Sequence, residues 1–460
     1  MGNMRCHKKR PKMVLVPYPA QGHVTPMLKL ASTFLNHGFD PIIVTPEFIH
    51  CRITSNANPT DGITYTWIPD GLGNEVTRDF FAIDNAMENY MPIQLERIVQ
   101  SLDEDGEEVV CIIVDLLASW AINVANRCRI PVAGFWPAML ASYRLVAAIP
   151  DMVRTDIISA TGNPQNLRHH IALRPFQPNQ PKLWTGDLPW LIGTPQARKS
   201  RFNFWVRVLD RSSTLPWILV NSFSNESLSY EENYFTETTQ LGQPMILPVT
   251  GSYCKHSVPK SPSLWEEDMA SLKWLETQKP KSVLYISFGS WVSPIGESKV
   301  KTLALTLESL GQPFIWVLGS NWRQGLPNGF IQRVSKQGKI VSWAPQVEIL
   351  NHRAVGGYLT HCGWNSTMEA IQCGMPLLCY PIAGDQFVNC KFIVQVWRIG
   401  VKIDGFGLKD VEEGLKKVVE DEEMNERLMK VRDRVVGEKS SLKAKININA
   451  FIDDLNRSTA

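Results

Sequence analysis

Apolar residues in this chain fall into short runs, each followed by an amphipathic stretch. Met13–Pro17 is an apolar run ending at prolines and predicts a buried strand. Pro26–His37 predicts a helix, with Thr25 as N-cap, Pro26 at the first helical position and Gly38 just past the end. Strands are predicted at Asp40–Thr45, Val109–Asp115, Pro131–Phe135 and Ile218–Ser222, and a helix at Ser119–Arg127. Pro244–Pro262 turns to Pro, Gly, Ser and Lys and reads as a linker. The alternation then restarts, with strands at Ser282–Phe288, Phe314–Leu318, Lys339–Val341, Gly357–Thr360 and Leu377–Tyr380. Helices are predicted at Ser263–Thr277, Lys299–Leu310 and Ser366–Cys373, then at Leu408–Val419 and Glu422–Val435, which are charged and amphipathic. In the last helix, Ala444–Asn456, the spacing of Ile446, Ile448, Phe451, Ile452 and Leu455 makes one apolar face that should pack on a domain.

Strand–helix alternation of this kind argues a parallel, doubly wound sheet, met twice. The expected fold is α/β, with two Rossmann-like domains, residues 1–250 and 251–440, facing a cleft. Residues 441–460 should hold a helix packed back on the body. The carboxyl ends of both sheets should face the cleft, where such sheets bind ligands. Thr64–Tyr90 and Arg144–Trp190 read as loops that would shape an acceptor site. Their aromatics, with Trp136 and Tyr143 nearby and Trp184 and Trp190 within, could line an apolar pocket or simply pack, and packing is the expected role of most.

A length of 460 residues suits two cores better than one. With 20% charged residues and a net charge of +2, no field points to nucleic acid or an anionic membrane surface. No uncharged run is long enough to span a bilayer; the nearest, Ala133–Pro150, contains Arg144 and reads as a buried helix. The apolar run near the N-terminus is too short for a signal peptide, and Cys6 stands where a myristoylation signal wants Ser or Thr. Nine cysteines are scattered without metal-type spacing, so free, mostly buried thiols in a reducing cytosol are expected. Nothing in the pattern specifies an oligomer.

Chemistry concentrates in three places. His23 lies in Pro19–Pro26, after the first strand, where a loop would face the cleft and offer a general base. Alone it reads at least as well as a histidine packed in a turn. Asp115 ends the apolar run Cys111–Asp115 at the same rim, where it could orient His23 or cap the next helix. The third place is Trp343–Gln386. Gly363 there permits a turn, and Asn365 or Ser366 opens a helix whose free N–H groups suit an anion. His361 beside it can donate to a phosphate. Glu369, one turn in, could take ribose hydroxyls, Trp343 offers a face for a base, and Asp385 and Gln386 can bond sugar hydroxyls.

That run strongly resembles the signature box of plant secondary-product UDP-glycosyltransferases. The Pro19–Pro26 loop and the Ile113–Asp115 strand resemble the family's catalytic histidine and aspartate segments. Trp217–Ser222 and Ser282–Ser290 are similar to its other landmarks. The resemblance implies a GT-B fold and a UDP-sugar co-substrate. It implies Trp343 stacked on uracil, the Ala344 backbone on its edge, and Gln346 and Glu369 on the ribose. His361, Asn365, Ser366 and Ser290 would hold the diphosphate beside Gly363. Trp364, Asp385 and Gln386, with Ala383 and Gly384 in the same loop, would hold the sugar, and a box ending in Gln favours glucose. The implied reaction is inverting transfer to a hydroxyl of a small apolar acceptor. No metal or other cofactor is expected. The acidic run Asp103-Glu104-Asp105, the one candidate for a metal route, reads as a solvated loop. A UDP-sugar binder without catalysis is the alternative, and the presence of both His23 and Asp115 argues against it. A dehydrogenase is weakly supported, since no Gly-x-Gly-x-x-Gly run follows an early strand.

Overall fold

The computed structural model describes residues 9–56, 61–73, 75–171, 181–226, 244–250, 264–290 and 295–459. Its strands are β1 (Lys12–Val16), β2 (Asp40–Pro46), β3 (Thr64–Ile68), β4 (Val109–Asp115) and β5 (Val132–Trp136). A small hairpin, β6 (His170–Ile171) with β7 (Leu183–Trp184), precedes β8 (Trp217–Val220) and β9 (Met245–Pro248). The second set is β10 (Val283–Ser287), β11 (Phe314–Val317), β12 (Gly338–Val341), β13 (Val355–Thr360), β14 (Leu377–Cys379) and β15 (Gly400–Lys402).

Two parallel sheets result, in the orders β3-β2-β1-β4-β5-β8-β9 and β12-β11-β10-β13-β14-β15. Helices cover both faces of each sheet, so its central strands meet no water. That is why Met13–Val16, Cys111–Val114 and Val283–Ile286 are apolar without alternation and at most 2% exposed. The fold is the expected α/β pair of doubly wound units.

Several boundaries move for physical reasons. The stretch read as a linker begins with β9, whose Met-Ile-Leu run pairs in parallel with β8 from Trp217↔Met245 to Val220↔Pro248. Pro248 is tolerated there because the strand is at the sheet edge. The rest of that stretch, from residue 251 to 262, lies outside the described residues. Thr64–Tyr90 is not all loop. β3 is an edge strand, and because water covers part of it, Thr64 and Trp67 are exposed and no apolar run marks it. Phe80–Asn89 is a helix capped by Asp79, whose carboxylate accepts from Phe81 N and Ala82 N at 2.9 Å each. Ala133–Pro150 is not one buried helix but β5, a break at Pro137 and the helix Leu140–Ala147. β13 begins at Val355, two residues before the expected Gly357, so Gly356 also lies inside it.

The last helix is longer than expected, Glu438–Thr459, and packs beneath the first sheet. Phe451 is fully buried, with ring centroids 5.9 Å from Phe34 and 5.5 Å from Trp217. Ile448 and Leu455 share its face. Asn447 Nδ2 donates to Pro248 O at 2.8 Å, and Trp217 Nε1 donates to Asp454 Oδ2 at 2.8 Å. Ile446 does not belong to that face; it is 50% exposed, because residues two apart lie on opposite sides of a helix. Phe451→Ala should therefore lower unfolding free energy by roughly 3–5 kcal/mol, and Ile446→Ala by less than about 0.5 kcal/mol, in parallel urea titrations.

Candidate functional site

In each sheet the order reverses between two neighbouring strands, β1|β4 and β10|β13, and chains leaving those strands diverge into a crevice. β1 runs out to Tyr18–Gln21 and β4 ends at Asp115. β10 runs out to Phe288–Ser290 and β13 to His361–Gly363. The two crevices face one another across a cleft of about 1600 Å³. All the residues assigned from the sequence to catalysis or to the UDP-sugar line it, except Asp115.

Asp115 lies just behind the wall, wholly buried, and His23 stands in front of it. His23 Nδ1 is 2.7 Å from Asp115 Oδ2. Asp115 also accepts from Tyr18 N at 3.3 Å and Leu117 N at 2.9 Å. An ionised carboxylate only accepts, so Nδ1 carries the proton and Nε2 keeps its lone pair. His23 is not on a loop, as expected, but in the first turn of a helix over Gln21–Asn36 capped at Ala20. The signals at Thr25 and Pro26 misplace the start. Thr25 Oγ1 instead accepts from Gln21 Nε2 at 2.7 Å, and Pro26 sits inside the helix. A proline there has no N–H for the carbonyl four residues back. That carbonyl, Gly22 O, takes its hydrogen bond from Asn365 Nδ2 at 2.9 Å, across the cleft.

On the opposite wall, the helix begins at Trp364, with Gly363 as N-cap, and runs to Cys373. Cys362 adopts the left-handed conformation, φ 65°, that the turn requires. Gly363 is extended, φ −60° and ψ 144°, so its role is different from the one read in sequence. A Cβ there would stand 2.3 Å from His361 Nε2, and one on Gly289 2.6 Å from it. The two glycines form the slot that holds the imidazole. Burial pushes His361 down to about 4, so the ring is neutral near pH 7 and offers one N–H rather than a charge.

The residues assigned to a ribose meet as expected. Gln346 Nε2 donates to Glu369 Oε2 at 2.6 Å and to Ser366 Oγ at 3.1 Å. Tyr285 and Tyr358 hydroxyls donate to Gln346 Oε1 at 3.1 Å each. Burial raises Glu369, partly offset by Lys29, which reaches over from the first domain, and by Gln346. Trp343 lies 5.9 Å from Trp265, rings tilted by 34°, and Ala344 is buried beside it. Ser290 is exposed at the mouth of β10.

Three donor-side residues have more structural work than expected. Trp364 Nε1 donates to Asn221 O of the first domain at 2.5 Å. Asn365 spends its side chain on Gly22 and on Asn221, whose Nδ2 is 3.3 Å from Asn365 Oδ1. Gln386 Oε1 accepts from Ile382 N and Ala383 N at 2.9 Å each, leaving its NH₂ as donor. Burial raises Asp385, whose Oδ2 accepts from Asn389 Nδ2 at 2.8 Å.

The acceptor side is built by segments that carry no motif. Tyr18, with its ring centroid 5.0 Å from His23, Phe80, Trp136, Leu145 and Trp205 all line it. Tyr143, Trp184 and Trp190 pack elsewhere, as expected; Trp136 is the one of the four aromatics that reaches the cleft. Asp103, Glu104 and Asp105 do not form a loop beside the site. They close the helix Met91–Glu104 and its C-cap, outside the cleft lining. The cysteines, read as scattered, include a group the sequence spacing hid. Cys362, Cys379 and Cys390 are buried with their sulfurs within 4.8 Å of one another. They lie outside the cleft lining, and their soft, closely set donor set could hold a thiophilic ion.

Known proteins resemble this chain along nearly its whole length. The model of the family described as UDP-glucoronosyl and UDP-glucosyl transferase matches residues 235–435. The chain is 53% identical to UDP-glycosyltransferase 82A1 of Arabidopsis thaliana over 465 residues, covering 97% of this chain and 99% of that one. It superposes on UDP-glucose: anthocyanidin 3-O-glucosyltransferase in complex with UDP with a TM-score of 0.78, at 26% identity, over 98% of this chain and 99% of that chain. Medicago truncatula UGT71G1 complexed with UDP-glucose gives 0.77 at 23% identity, over 97% and 98%, and shares the fold.

The neutral burial of His361 has a measurable consequence. The unfolded chain takes the proton near 6.5, the folded one only near 4. The unfolded state therefore binds more protons between those values, and stability falls as pH drops from 6.5 toward 4. This one group contributes a slope of up to about 1.4 kcal/mol per pH unit. His361→Asn should flatten the pH dependence of the urea midpoint in that window relative to the unaltered chain.

Proposed function

The chain belongs to the UDP-glycosyltransferase family, enzymes that move a sugar from a UDP-sugar to a small acceptor, and from that premise we propose a particular route: transfer of glucose from UDP-glucose to a hydroxyl of an apolar acceptor, with inversion. The observation that carries it is the 2.7 Å bond from His23 to a wholly buried Asp115, facing the His361 turn across one cleft.

His23 Nε2 takes the proton of the acceptor hydroxyl as its oxygen attacks the anomeric carbon. The bond from that carbon to the β-phosphate oxygen breaks, and UDP departs. Asp115 fixes the tautomer and stabilises the imidazolium. The leaving diphosphate gains charge, and the N–H groups opening the helix Trp364–Cys373 lie where that charge appears, with neutral His361 as a further donor. The Gln346–Glu369 pair, held by two tyrosines and Ser366, suits a ribose diol, and Trp343 suits the uracil face. Glucose as the sugar is supported by the Gln386 amide at the cleft and by the donor named for two neighbouring structures.

The route asks nothing of a metal, because backbone and imidazole donors meet the diphosphate. A cytoplasmic location is supported by Cys362, Cys379 and Cys390, thiols kept unlinked at short range. Among the described residues, no helix is long and apolar enough to cross a membrane.

His23→Ala should lower kcat by roughly 10²–10⁴ while UDP affinity, read by calorimetry, stays within about twofold. Asp115→Asn should lose rate on a similar scale, with UDP binding again retained. Excess chelator should leave the wild-type rate unchanged. Near-normal turnover by His23→Ala would overturn the base assignment.

A further inference from the structure

Of the arginines on the helix Pro195–Ser212, Arg207 and Arg211 face the neighbouring helix and Arg201 lines the cleft. Arg207 Nη2 binds Asp84 at 2.6 and 2.8 Å, and Arg211 binds Glu88 at 2.8 and 2.7 Å. Those pairs fasten this helix to the helix Phe80–Asn89. Arg201 is excluded from that seam. Its guanidinium lies over the rings of Phe80 and Phe81, 5.1 and 4.9 Å from their centroids, and Nη1 donates to Ile192 O at 3.2 Å. It lines the cleft, half-buried, one helical turn from Trp205. Among the described residues no carboxylate lies within ion-pair distance of it. The nearby Asp79 caps its own helix through Oδ1 and reaches Arg201 only through longer-range charge.

A guanidinium resting over two rings and bonded to a carbonyl has lost much of its freedom before any ligand arrives, and that carbonyl uses one of its five N–H donors. Around it the acceptor wall is apolar: Tyr18, Phe80, Leu117, Trp136, Leu145 and Trp205. The cleft's carboxylates, Glu267, Glu348, Glu369 and Asp385, come from the second domain. A fixed fork of donors in an apolar pocket recognises a planar anion.

We propose that Arg201 is an anion-binding subsite of the acceptor pocket, and that the acceptors are aromatic acids bearing a separate hydroxyl. The carboxylate pairs with Arg201, the ring lies among the pocket aromatics, and the hydroxyl reaches His23. This rests on the transfer route proposed above. A carboxylate would itself need no base to attack, so a pocket with both a His–Asp pair and an arginine fits an acid whose hydroxyl, not its carboxylate, is glycosylated. The product is a glycoside that keeps its free acid.

The test compares 4-hydroxycinnamic acid with its methyl ester as acceptors, in the wild-type chain and in Arg201→Gln and Arg201→Lys. Wild type should favour the acid in kcat/KM by roughly 10–100-fold, chiefly through KM, the range expected for a charge-assisted pair. Arg201→Gln should lose most of that preference, with kcat/KM for the acid falling far more than for the ester. Arg201→Lys should recover part of it. Equal use of acid and ester by wild type, an equal loss for both in Arg201→Gln, or a hydroxylamine-labile glycosyl ester as product would each overturn the assignment. Calorimetry on the UDP-loaded His23→Ala variant separates this inference from the transfer route. Tighter binding of the acid than the ester there sustains the subsite whatever the turnover; equal binding overturns it.

Discussion

Asp115 is a carboxylate with no contact with water, and the first wall of the cleft is arranged around satisfying it. Left unpaired, such a group would be neutralised or would cost several kcal/mol. Three donors reach it: Tyr18 N on the exit of β1, Leu117 N in the turn after β4, and His23 Nδ1 on the first turn of the following helix. They come from chain segments that meet only because β1 and β4 are neighbours at the reversal of strand order. The same bond that satisfies Asp115 presents His23 Nε2 to the cleft.

Placing His23 there requires the helix to begin at Gln21, and this leaves Pro26 inside it. The missing N–H frees the Gly22 carbonyl, and the amide of Asn365 fills the gap from the other domain. The repair extends outward. Asn365 accepts from Asn221, Asn221 O accepts from Trp364, and Asn221 Nδ2 also donates to Pro137 O. A chain of hydrogen bonds thus runs from the His23 turn to the first turn of the helix facing it. It fixes the spacing between His23 and the first turn of the helix Trp364–Cys373. It also explains why Trp364 and Asn365 have side chains committed to the seam, although their sequence context marks them for the donor.

The sequence was readable where the chemistry is local. His361, Gly363, Ser366 and Glu369 lie on one strand exit and the helix after it, so spacing alone brings them together. Gln346 joins them through an adjacent helix start. Legibility failed where a residue's surroundings come from far along the chain. Pro26 carries every mark of a first helical residue, and only Asn365, far along the chain, makes its interior position tolerable. Gly363 looked like the turn's flexible point, but Cys362 takes the positive φ, and Gly363 is fixed by the width of His361. β3 was lost because an edge strand needs no continuous apolar run, and the three buried thiols because they are gathered from the exits of two strands and a helix.

The two walls differ in how their residues are bound, and this bears on what each can vary. On the donor wall, Gln346, Ser366, Glu369, Asp385 and Gln386 are held by hydrogen bonds to one another or to neighbours on the same wall. Changing one strands another, at a cost of about 1–3 kcal/mol for each buried group left unpaired. On the acceptor wall, Phe80, Leu145 and Trp205 project from separate helices and meet by packing. Replacing one alters shape and leaves no polar atom unpaired. Under the proposed route, the donor wall is therefore stiff and the acceptor wall pliable within one fold. A polar side chain on a wall where packing would suffice has to be accounted for by what it meets. Arg201 meets two rings and a carbonyl, which hold it in place but leave most of its donors to the cleft.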